Sequence, residues 1–289
     1  MNTTENILDR RLNAYRADLA EAALKGQVEA ARFVEGTPAR LAVPVAALRP
    51  RPDLAVGIDT ELLFGEEVTV FDRAGGFAWV KARQDGYVGY LPEAALSDAE
   101  AAPTHRVVVP RTFVYPGPDL RFPASSAFSM GSLVTVVGEA ETRGTHYHNL
   151  PDGRAIVAGH CLPLGSWPSD DYVAIAARFL ETPYLWGGRS GFGIDCSGLV
   201  QLSLQMTGRS APRDSDMQAS GLGAIISREE LRRGDLVFWK GHAGIMEDEN
   251  TLLHANGHTM TVAREDFEAA VRRIGWLYDM PTGYRRPTA

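Results

Sequence analysis

Residues 191–201 read Gly-Phe-Gly-Ile-Asp-Cys-Ser-Gly-Leu-Val-Gln and place one cysteine, Cys196, between an acidic residue and a hydroxyl residue. Small residues precede it and an apolar run with helical spacing follows, which predicts a loop that becomes a helix at the cysteine. The first turn of a helix carries unpaired N–H groups and partial positive charge, and both stabilise a thiolate, the nucleophilic form of cysteine. Cys196 is therefore a candidate nucleophile, although a lone cysteine is more often a buried packing residue.

The composition of the 289-residue chain is that of a globular protein with room for two or three domains. A net charge of −7 without any Lys/Arg-rich block argues against a nucleic-acid partner. No apolar run approaches the roughly 20 residues of a membrane helix, and the N-terminus lacks the apolar core of a signal peptide. We therefore expect a cytoplasmic protein with no membrane partner. Cys161 and Cys196 provide no disulfide framework, and both are expected to be reduced.

The pattern of apolar residues and turn residues along the chain predicts four regions. Residues 1–38 alternate apolar and polar side chains with an approximate helical period and predict an N-terminal helical arm. Residues 39–100 contain short strands separated by glycine-rich turns, and residues 101–166 repeat that pattern imprecisely, which predicts two small β-barrels. Residues 167–289 predict a capped helix, the helix of Cys196 and then a meander of strands, an α+β arrangement.

A catalytic cysteine needs a base, and two histidines of the last region are candidates. His242 begins a predicted strand 46 residues after Cys196 (242 − 196), and His254 ends the next strand 12 residues later (254 − 242). In an antiparallel meander these two positions can be neighbours. The set then comprises a nucleophile, a base and a third group that orients the base. A histidine in the third position stabilises the imidazolium less than a carboxylate would.

Three motifs occur in the same order as in a known family: Asp195-Cys196-Ser197-Gly198-Leu199-Val200, Gly241-His242-Ala243-Gly244-Ile245 and Leu253-His254-Ala255. They resemble those of the NlpC/p60-type cell-wall cysteine peptidases, and the resemblance covers about residues 168–286. The repeated β regions resemble bacterial SH3-like domains, the first more clearly than the second. The resemblance implies an α+β papain-like peptidase domain preceded by two all-β SH3-like barrels and the helical arm.

The whole layout resembles bacterial γ-D-glutamyl-L-diamino-acid endopeptidases, which act on peptidoglycan stem peptides with a free N-terminal L-alanine. This resemblance implies that Cys196 attacks the γ-D-glutamyl carbonyl, that His242 transfers the proton and that His254 orients His242. It also implies substrate-binding residues, for which the candidates are Asp195, Ser197, Tyr184, Ser215, Tyr87 and either Glu61 or Glu66. Of these, Asp195 would contact the L-alanine amine, whereas Ser197, Tyr184 and Ser215 would lie near D-glutamate.

In the first SH3-like domain, Tyr87 and one acid, either Glu61 or Glu66, would complete the amine pocket. No substrate contact is expected from the second SH3-like domain. Neither a metal nor a cofactor is expected, and a role in cell-wall peptide recycling follows from the requirement for a free amine. Two alternatives remain open: an endopeptidase or amidase acting on intact peptidoglycan, and a catalytically silent module that binds wall peptides. Diaminopimelate and lysine are both open as the diamino acid, and the oligomeric state is open.

Overall fold

The computed structural model describes residues 8–98 and 101–288, so the first seven residues of the predicted arm lie outside the described residues. The chain divides into two compact units, Met1–Ala102 and Pro103–Ala289. Within the described residues, no helix is both long and apolar enough to cross a membrane.

The first unit is built from short β-strands. In chain order they are β1 Ala20–Glu21, β2 Phe33–Val34, β3 Thr37–Leu41, β4 Val45–Leu48, β5 Thr60–Leu63, β6 Glu67–Ala74, β7 Phe77–Ala82, β8 Val88–Pro92 and β9 Leu96–Ser97. Five of them form a sheet in the order β8-β7-β6-β3-β9, and β4 pairs with β5. Alternate residues of these strands point inward, as the period of a half-buried strand requires, and Leu41, Leu48, Val80 and Leu91 lie in the core.

The predicted helical arm is wrong for the part of it that the structure describes. That part contains no α-helix, only a 3-10 turn at Ala22–Leu24 and very short strands. Leu19 is buried in a cluster with Trp79, and the Arg16 guanidinium lies 4.4 Å from the centroid of the Trp79 ring. Arg16 also pairs with Asp72 at 2.6 Å. These tertiary contacts hold the segment against the sheet and override its weak local helical preference.

The second unit begins with a further set of short strands. They are β10 His105–Val107, β11 Arg111–Tyr115, β12 Ser126–Ser129, β13 Leu133–Val134, β14 Gly138–Thr142, β15 Thr145–Asn149, β16 Ala155–Val157 and β17 Cys161–Pro163. These strands form one sheet in the order β17-β10-β13 and another in the order β14-β15-β16-β11-β12. The arrangement is similar to that of the first unit, where one sheet has the order β9-β3-β6-β7-β8 and β4 pairs with β5. The long strand β6 corresponds to the separate strands β13 and β14. A 3-10 turn precedes the last strand in both sets.

The rest of the second unit is an α+β region around a six-stranded antiparallel sheet. Its elements are α1 Tyr172–Ala177, β18 Arg189–Ser190, β19 Gly193–Ile194, α2 Cys196–Gln205, α3 Ser215–Gly221, β20 Ala224–Ile226, β21 Leu236–Trp239, β22 His242–Met246, β23 Thr251–Asn256, β24 Thr261–Asp266, α4 Phe267–Leu277 and β25 Gly283–Arg286. The sheet order is β20-β25-β21-β22-β23-β24. Helices α1 and α2 share one core with the sheet, and α4 packs with its other face.

The predicted helix at Cys196 and the predicted strands of the meander occur where the sequence pattern placed them. Two helices were not predicted. The first, α3, lies within a polar stretch that lacks a helical apolar period. The second, α4, follows β24 directly and is capped by Asp266, whose carboxylate accepts from Ala269 N–H.

The second set of β-strands packs against the loop that leads to Cys196. Ser129 Oγ accepts a hydrogen bond from Gly191 N–H at 2.8 Å, and Arg111 donates to the Gly191 carbonyl at 3.1 Å. A Cβ atom at Gly191 would lie 2.1 Å from the Pro110 carbonyl oxygen, so only glycine fits there. Met130 completes the contact by entering the core shared with α2.

Candidate active site

Cys196 is the first residue of α2, and Asp195 caps that helix. The Asp195 carboxylate accepts a hydrogen bond from Gly198 N–H at 2.6 Å, which satisfies one of the unpaired donors of the first turn. All ten residues of α2 are buried, so the helix enters the core with the thiol at its leading end. The predicted position of Cys196 at a helix start is therefore what the structure shows.

Arg213 fixes the residues on both sides of Cys196. Its guanidinium donates to the two Asp195 carboxylate oxygens at 3.0 and 2.8 Å, and to Ser197 Oγ at 2.9 Å. It also donates to the Gly188 carbonyl at 3.2 Å, and the residue is only 1% exposed. This bidentate, buried ion pair holds the flanks of Cys196 rigidly. Sequence reasoning missed Arg213 because a single arginine in a polar loop carries no distinguishing pattern.

The electrostatic surroundings of Cys196 favour the neutral thiol in the unliganded protein. Burial, and then the negative charge of Asp195, raise the pKa of Cys196 to about 12. The backbone N–H groups of Ala243 and Ser197 and the charge of Arg213 act in the opposite direction on that pKa. The expected stabilisation by the helix start is thus present, but the cost of burying a charge outweighs it.

His242 lies at the tip of a hairpin, one residue before Ala243. Trp239 and His242 pair across the two-residue turn Lys240-Gly241, in which Gly241 has a φ of 75°. The residue after His242, Ala243, directs its N–H to the thiol of Cys196. The N–H of Ala243 can bond to the thiol because β22 pairs with β23 only at Ile245 and Met246, so Ala243 lies beyond the paired part of these strands.

The two predicted histidines meet as expected. His242 Nε2 lies 2.9 Å from His254 Nδ1, which leaves His242 Nδ1 as the nitrogen that can face the thiol. Burial is the main cause that lowers the pKa of His242, to about 3, and burial also lowers the pKa of His254. Both rings are therefore neutral at pH 7, and the resting site contains an uncharged thiol and an uncharged base.

A carboxylate stands behind His254, which sequence reasoning missed. Glu265 Oε2 lies 3.2 Å from His254 Nε2, and Arg273 donates to both oxygens of Glu265, at 2.9 and 2.5 Å. Glu265 shares a sheet face with His254, because His254 pairs with Ala263 and Glu265 follows two residues later. The sequence could have revealed Glu265 through the hairpin register, because a turn centred near residues 258–259 brings residues 254 and 265 to one face of the sheet.

Besides Asp195, three of the predicted substrate-binding residues lie in the second unit. Tyr184 is half-buried, and burial, Cys196 and Asp195 all raise the pKa of its phenol. Ser197 donates to Asp195 at 3.3 Å while it accepts from Arg213. Ser215 is the first residue of α3, and α3 is tied to the nucleophile helix because Gln218 Nε2 donates to the Ser197 carbonyl at 3.0 Å. The contacts of these residues with a substrate stay predictions.

The other predicted substrate contacts lie in the first unit. Tyr87, Glu61 and Glu66 are all buried there, at 3%, 7% and 4% exposure. Glu66 Oε2 accepts a hydrogen bond from Leu63 N–H at 2.9 Å, so this carboxylate supports its own turn. The roles of these three residues in substrate binding stay predictions.

A cavity of about 520 Å³ opens beside His242. Its lining includes Tyr184, Trp239, Lys240 and Tyr278. Across residues 8–98 and 101–288, no group of three or more His, Cys, Asp or Glu side chains is arranged to hold a metal ion. The chemistry that this arrangement can perform is attack by a buried thiol, with proton transfer through a pair of histidines.

Comparison with known proteins places the chain in a family. The model of the bacterial dipeptidyl-peptidase Sh3 domain matches residues 48–96, and that of the NlpC/P60 family matches residues 181–273. The gamma-D-glutamyl-L-lysine dipeptidyl-peptidase of Bacillus subtilis (strain 168) is 30% identical over 221 residues, which are 68% of this chain and 72% of that protein. The chain belongs to the NlpC/P60 family.

Further relatives agree with this placement of the NlpC/P60 chain. A gamma-D-glutamyl-L-lysine dipeptidyl-peptidase of Bacillus cereus (strain ATCC 10987 / NRS 248) is 29% identical over 218 residues, and this chain spans 61% of its length. The crystal structure of an NlpC/P60 family protein from Bacillus cereus ATCC 10987 covers 88% of this chain and 100% of its own, with a TM-score of 0.73 at 24% identity. The NlpC/P60 chain thus has the papain-like fold of its family together with an SH3-like domain.

Proposed function

We propose that this protein is a cysteine peptidase that hydrolyses the γ-D-glutamyl-L-diamino acid bond of peptidoglycan stem peptides with a free N-terminal L-alanine. The observation that carries the proposal is the ordered set at the start of α2. Cys196 receives the N–H of Ala243, and the neighbouring His242 is hydrogen-bonded to His254 at 2.9 Å. Relatives named gamma-D-glutamyl-L-lysine dipeptidyl-peptidases support the substrate class.

In the proposed reaction, the thiol of Cys196 gives its proton to His242 Nδ1 as its sulfur attacks the γ-D-glutamyl carbonyl carbon. The transfer accompanies the attack because both groups are neutral at rest. Backbone N–H groups at the start of α2 are suited to receive the developing oxyanion. His242 then protonates the leaving amine, the C–N bond breaks, and water hydrolyses the remaining thioester to regenerate the thiol.

The leaving diamino acid has room on the histidine side of the site. The base must hand its proton to the leaving nitrogen, so the leaving residue lies next to His242. The cavity of about 520 Å³ is lined by His242 but not by Cys196, and it is the space we assign to that residue. Tyr184 borders this cavity, and its phenol is close enough to Cys196 for the cysteine to raise the pKa of Tyr184, which suits a residue near the scissile bond.

Recognition of the free amine is the finer part of the proposal. An ammonium group taken out of water needs carboxylates and a hydrogen-bond acceptor to compensate for lost hydration. Asp195 is one expected partner, but Arg213 already neutralises its charge. Tyr87 and one acid, Glu61 or Glu66, stay predicted partners of the ammonium group. An enzyme of this kind acts on peptides released from the wall, which suits recycling.

The test uses L-Ala-γ-D-Glu-diaminopimelate, its lysine counterpart and the N-acetylated form of each. Mass spectrometry of the products should show release of the diamino acid from the free-amine peptides only. Cys196→Ala should abolish that release, and full activity in this variant would contradict the proposed nucleophile. Equal cleavage of the acetylated peptides would favour an endopeptidase on intact peptidoglycan. Binding without any turnover by the unmodified protein would favour a silent wall-peptide module.

A further inference from the structure

We propose that Glu265 is a positioning residue that sets the tautomers of both active-site histidines, so that His242 presents an unprotonated Nδ1 to the nucleophile. The proposal concerns the chemistry of the site proposed above and rests on that function only for its kinetic readout. It extends the set Cys196–His242–His254 by a carboxylate and by Arg273, which holds the carboxylate.

The outer end of the hydrogen-bonded row is the carboxylate of Glu265. An ionised carboxylate can only accept hydrogen bonds, so the contact of 3.2 Å between Glu265 and His254 requires a proton on His254 Nε2. Neutral imidazole carries a single N–H, so the Nδ1 of His254 is then an acceptor. The contact of 2.9 Å from that Nδ1 to His242 therefore requires a proton on His242 Nε2. Neutral His242 is left with a lone pair on Nδ1, the atom that must take the thiol proton.

Without the carboxylate, the same two rings could be linked in the opposite sense. His254 Nδ1–H would donate to His242 Nε2, and His242 would then carry its proton on Nδ1. In that state His242 cannot act as a base toward the thiol. Nothing else in the contact between the two rings selects one sense, because each ring nitrogen can donate or accept. The group bonded to His254 Nε2 therefore determines the direction of the hydrogen bond between the two rings.

Arg273 makes the carboxylate a reliable acceptor. It donates from Nε to Oε1 at 2.9 Å and from Nη2 to Oε2 at 2.5 Å, a two-pronged contact that fixes the orientation of Glu265. The bonds from His254 and Arg273 lower the pKa of Glu265 to about 2, so the carboxylate stays ionised at any working pH. Both side chains are about one-fifth exposed, and Arg273 also lines the cavity beside His242.

Glu265 also supplies the charge that a third-position histidine lacks. When His242 becomes imidazolium during the reaction, the positive charge can be shared along the row toward an anion. Glu265 acts in the direction that raises the pKa of both histidines. Arg273 opposes it at both rings, and His258 opposes it at His254. Burial keeps both histidines neutral at rest, and Glu265 still provides an anionic group for the imidazolium that forms during the reaction.

The decisive variant is Glu265→Gln, which keeps the shape of the side chain and removes its charge. The amide offers a donor as well as an acceptor, so it no longer dictates a proton on His254 Nε2. We expect kcat to fall on the order of 10²-fold, the lower end of the contribution of a general base, with KM changed less than twofold. The matched control is Glu247→Gln, since Glu247 pairs with Arg264 on the same sheet without contacting a histidine.

The direct readout is the tautomeric state, measured from two-bond ¹H–¹⁵N spectra of histidine-labelled protein at pH 7 without substrate. Unmodified protein and Glu247→Gln should both show the Nε2–H form for His242 and His254. Glu265→Gln should show a shift of His242 toward the Nδ1–H form. An unchanged His242 tautomer, or kcat within twofold of the unmodified protein, would overturn the proposal.

Because the spectra need no substrate, they decide the proposal even if the peptide substrate has been assigned wrongly. Should Glu265→Gln fail to fold, Glu265→Asp serves in its place. It retains the charge, but its shorter side chain cannot span the 3.2 Å contact with His254 while remaining in both Arg273 contacts. The same tautomer shift is expected, and its absence would count equally against the proposal.

Discussion

Replacing Arg213 with glutamine tests whether the buried ion pair stabilises the segment around Cys196. The substitution removes two charge-assisted bonds to Asp195, at 3.0 and 2.8 Å, and the bonds to Ser197 and Gly188. The side chains of Arg213 and Asp195 are only 1% and 11% exposed, so water cannot replace the lost partner. Removing one member of such a pair costs about 3–5 kcal/mol of folding free energy, because a buried charge is left uncompensated.

The matched control is Arg228→Gln, which breaks an ion pair of similar length on the surface. Arg228 lies 2.5 Å from Glu268, with side-chain exposures of 37% and 56%. An exposed pair contributes about 0–1 kcal/mol, so this variant should remain close to the unmodified protein. The contrast between the two arginines isolates the effect of burial from the effect of removing a positive charge.

Urea unfolding followed by ellipticity at 222 nm is the appropriate assay, since every α-helix of the described residues lies in the second unit. The double variant with Asp195→Asn should be less destabilised than the sum of the single variants, because asparagine still caps α2 and no unpaired charge remains. If Arg213→Gln is destabilised by no more than Arg228→Gln, the reasoning about the buried pair is wrong.

Two further predictions use the same assay. The pKa of His242 is lowered to about 3, so between about pH 6.5 and that value the unfolded state binds a proton that the folded state does not, and stability falls as pH falls. His242→Gln should reduce this slope by about 1.4 kcal/mol per pH unit, and equal slopes would contradict the assignment. Gly191→Ala should cost about 1–3 kcal/mol because its Cβ would meet the Pro110 carbonyl at 2.1 Å. Gly257→Ala, with nothing within 4 Å, is its control, and equal stability of the two variants would refute the close packing.

Local sequence patterns were sufficient for much of the catalytic region. The acid, cysteine and hydroxyl at residues 195–197 begin a helix because Asp195 is a good N-cap and an apolar run follows. The alternation around His242 and His254 predicts adjacent antiparallel strands, and the two rings lie 2.9 Å apart. Such features depend on residues close in sequence, so a pattern can reveal them.

Local pattern failed where distant contacts decide conformation. The N-terminal segment has an approximate helical period, yet the contact of Arg16 with Trp79 and Asp72 holds it in an irregular path. Short helices such as α3 carry too little periodicity to be recognised. In both cases the free energy of packing exceeds the small differences in local preference.

The sequence by itself determined the candidate nucleophile, the candidate base and its partner, because each sits in a motif at the end of a regular element. Only the tertiary structure decided the environment that controls them. Arg213 reaches Asp195 from 18 residues away, and Glu265 reaches His254 across a hairpin from 11 residues away. Burial is likewise a property of the folded chain, and it leaves Cys196 and His242 uncharged at rest. Hydrogen-bond partners and desolvation depend on distance in space, which no order of residues states directly.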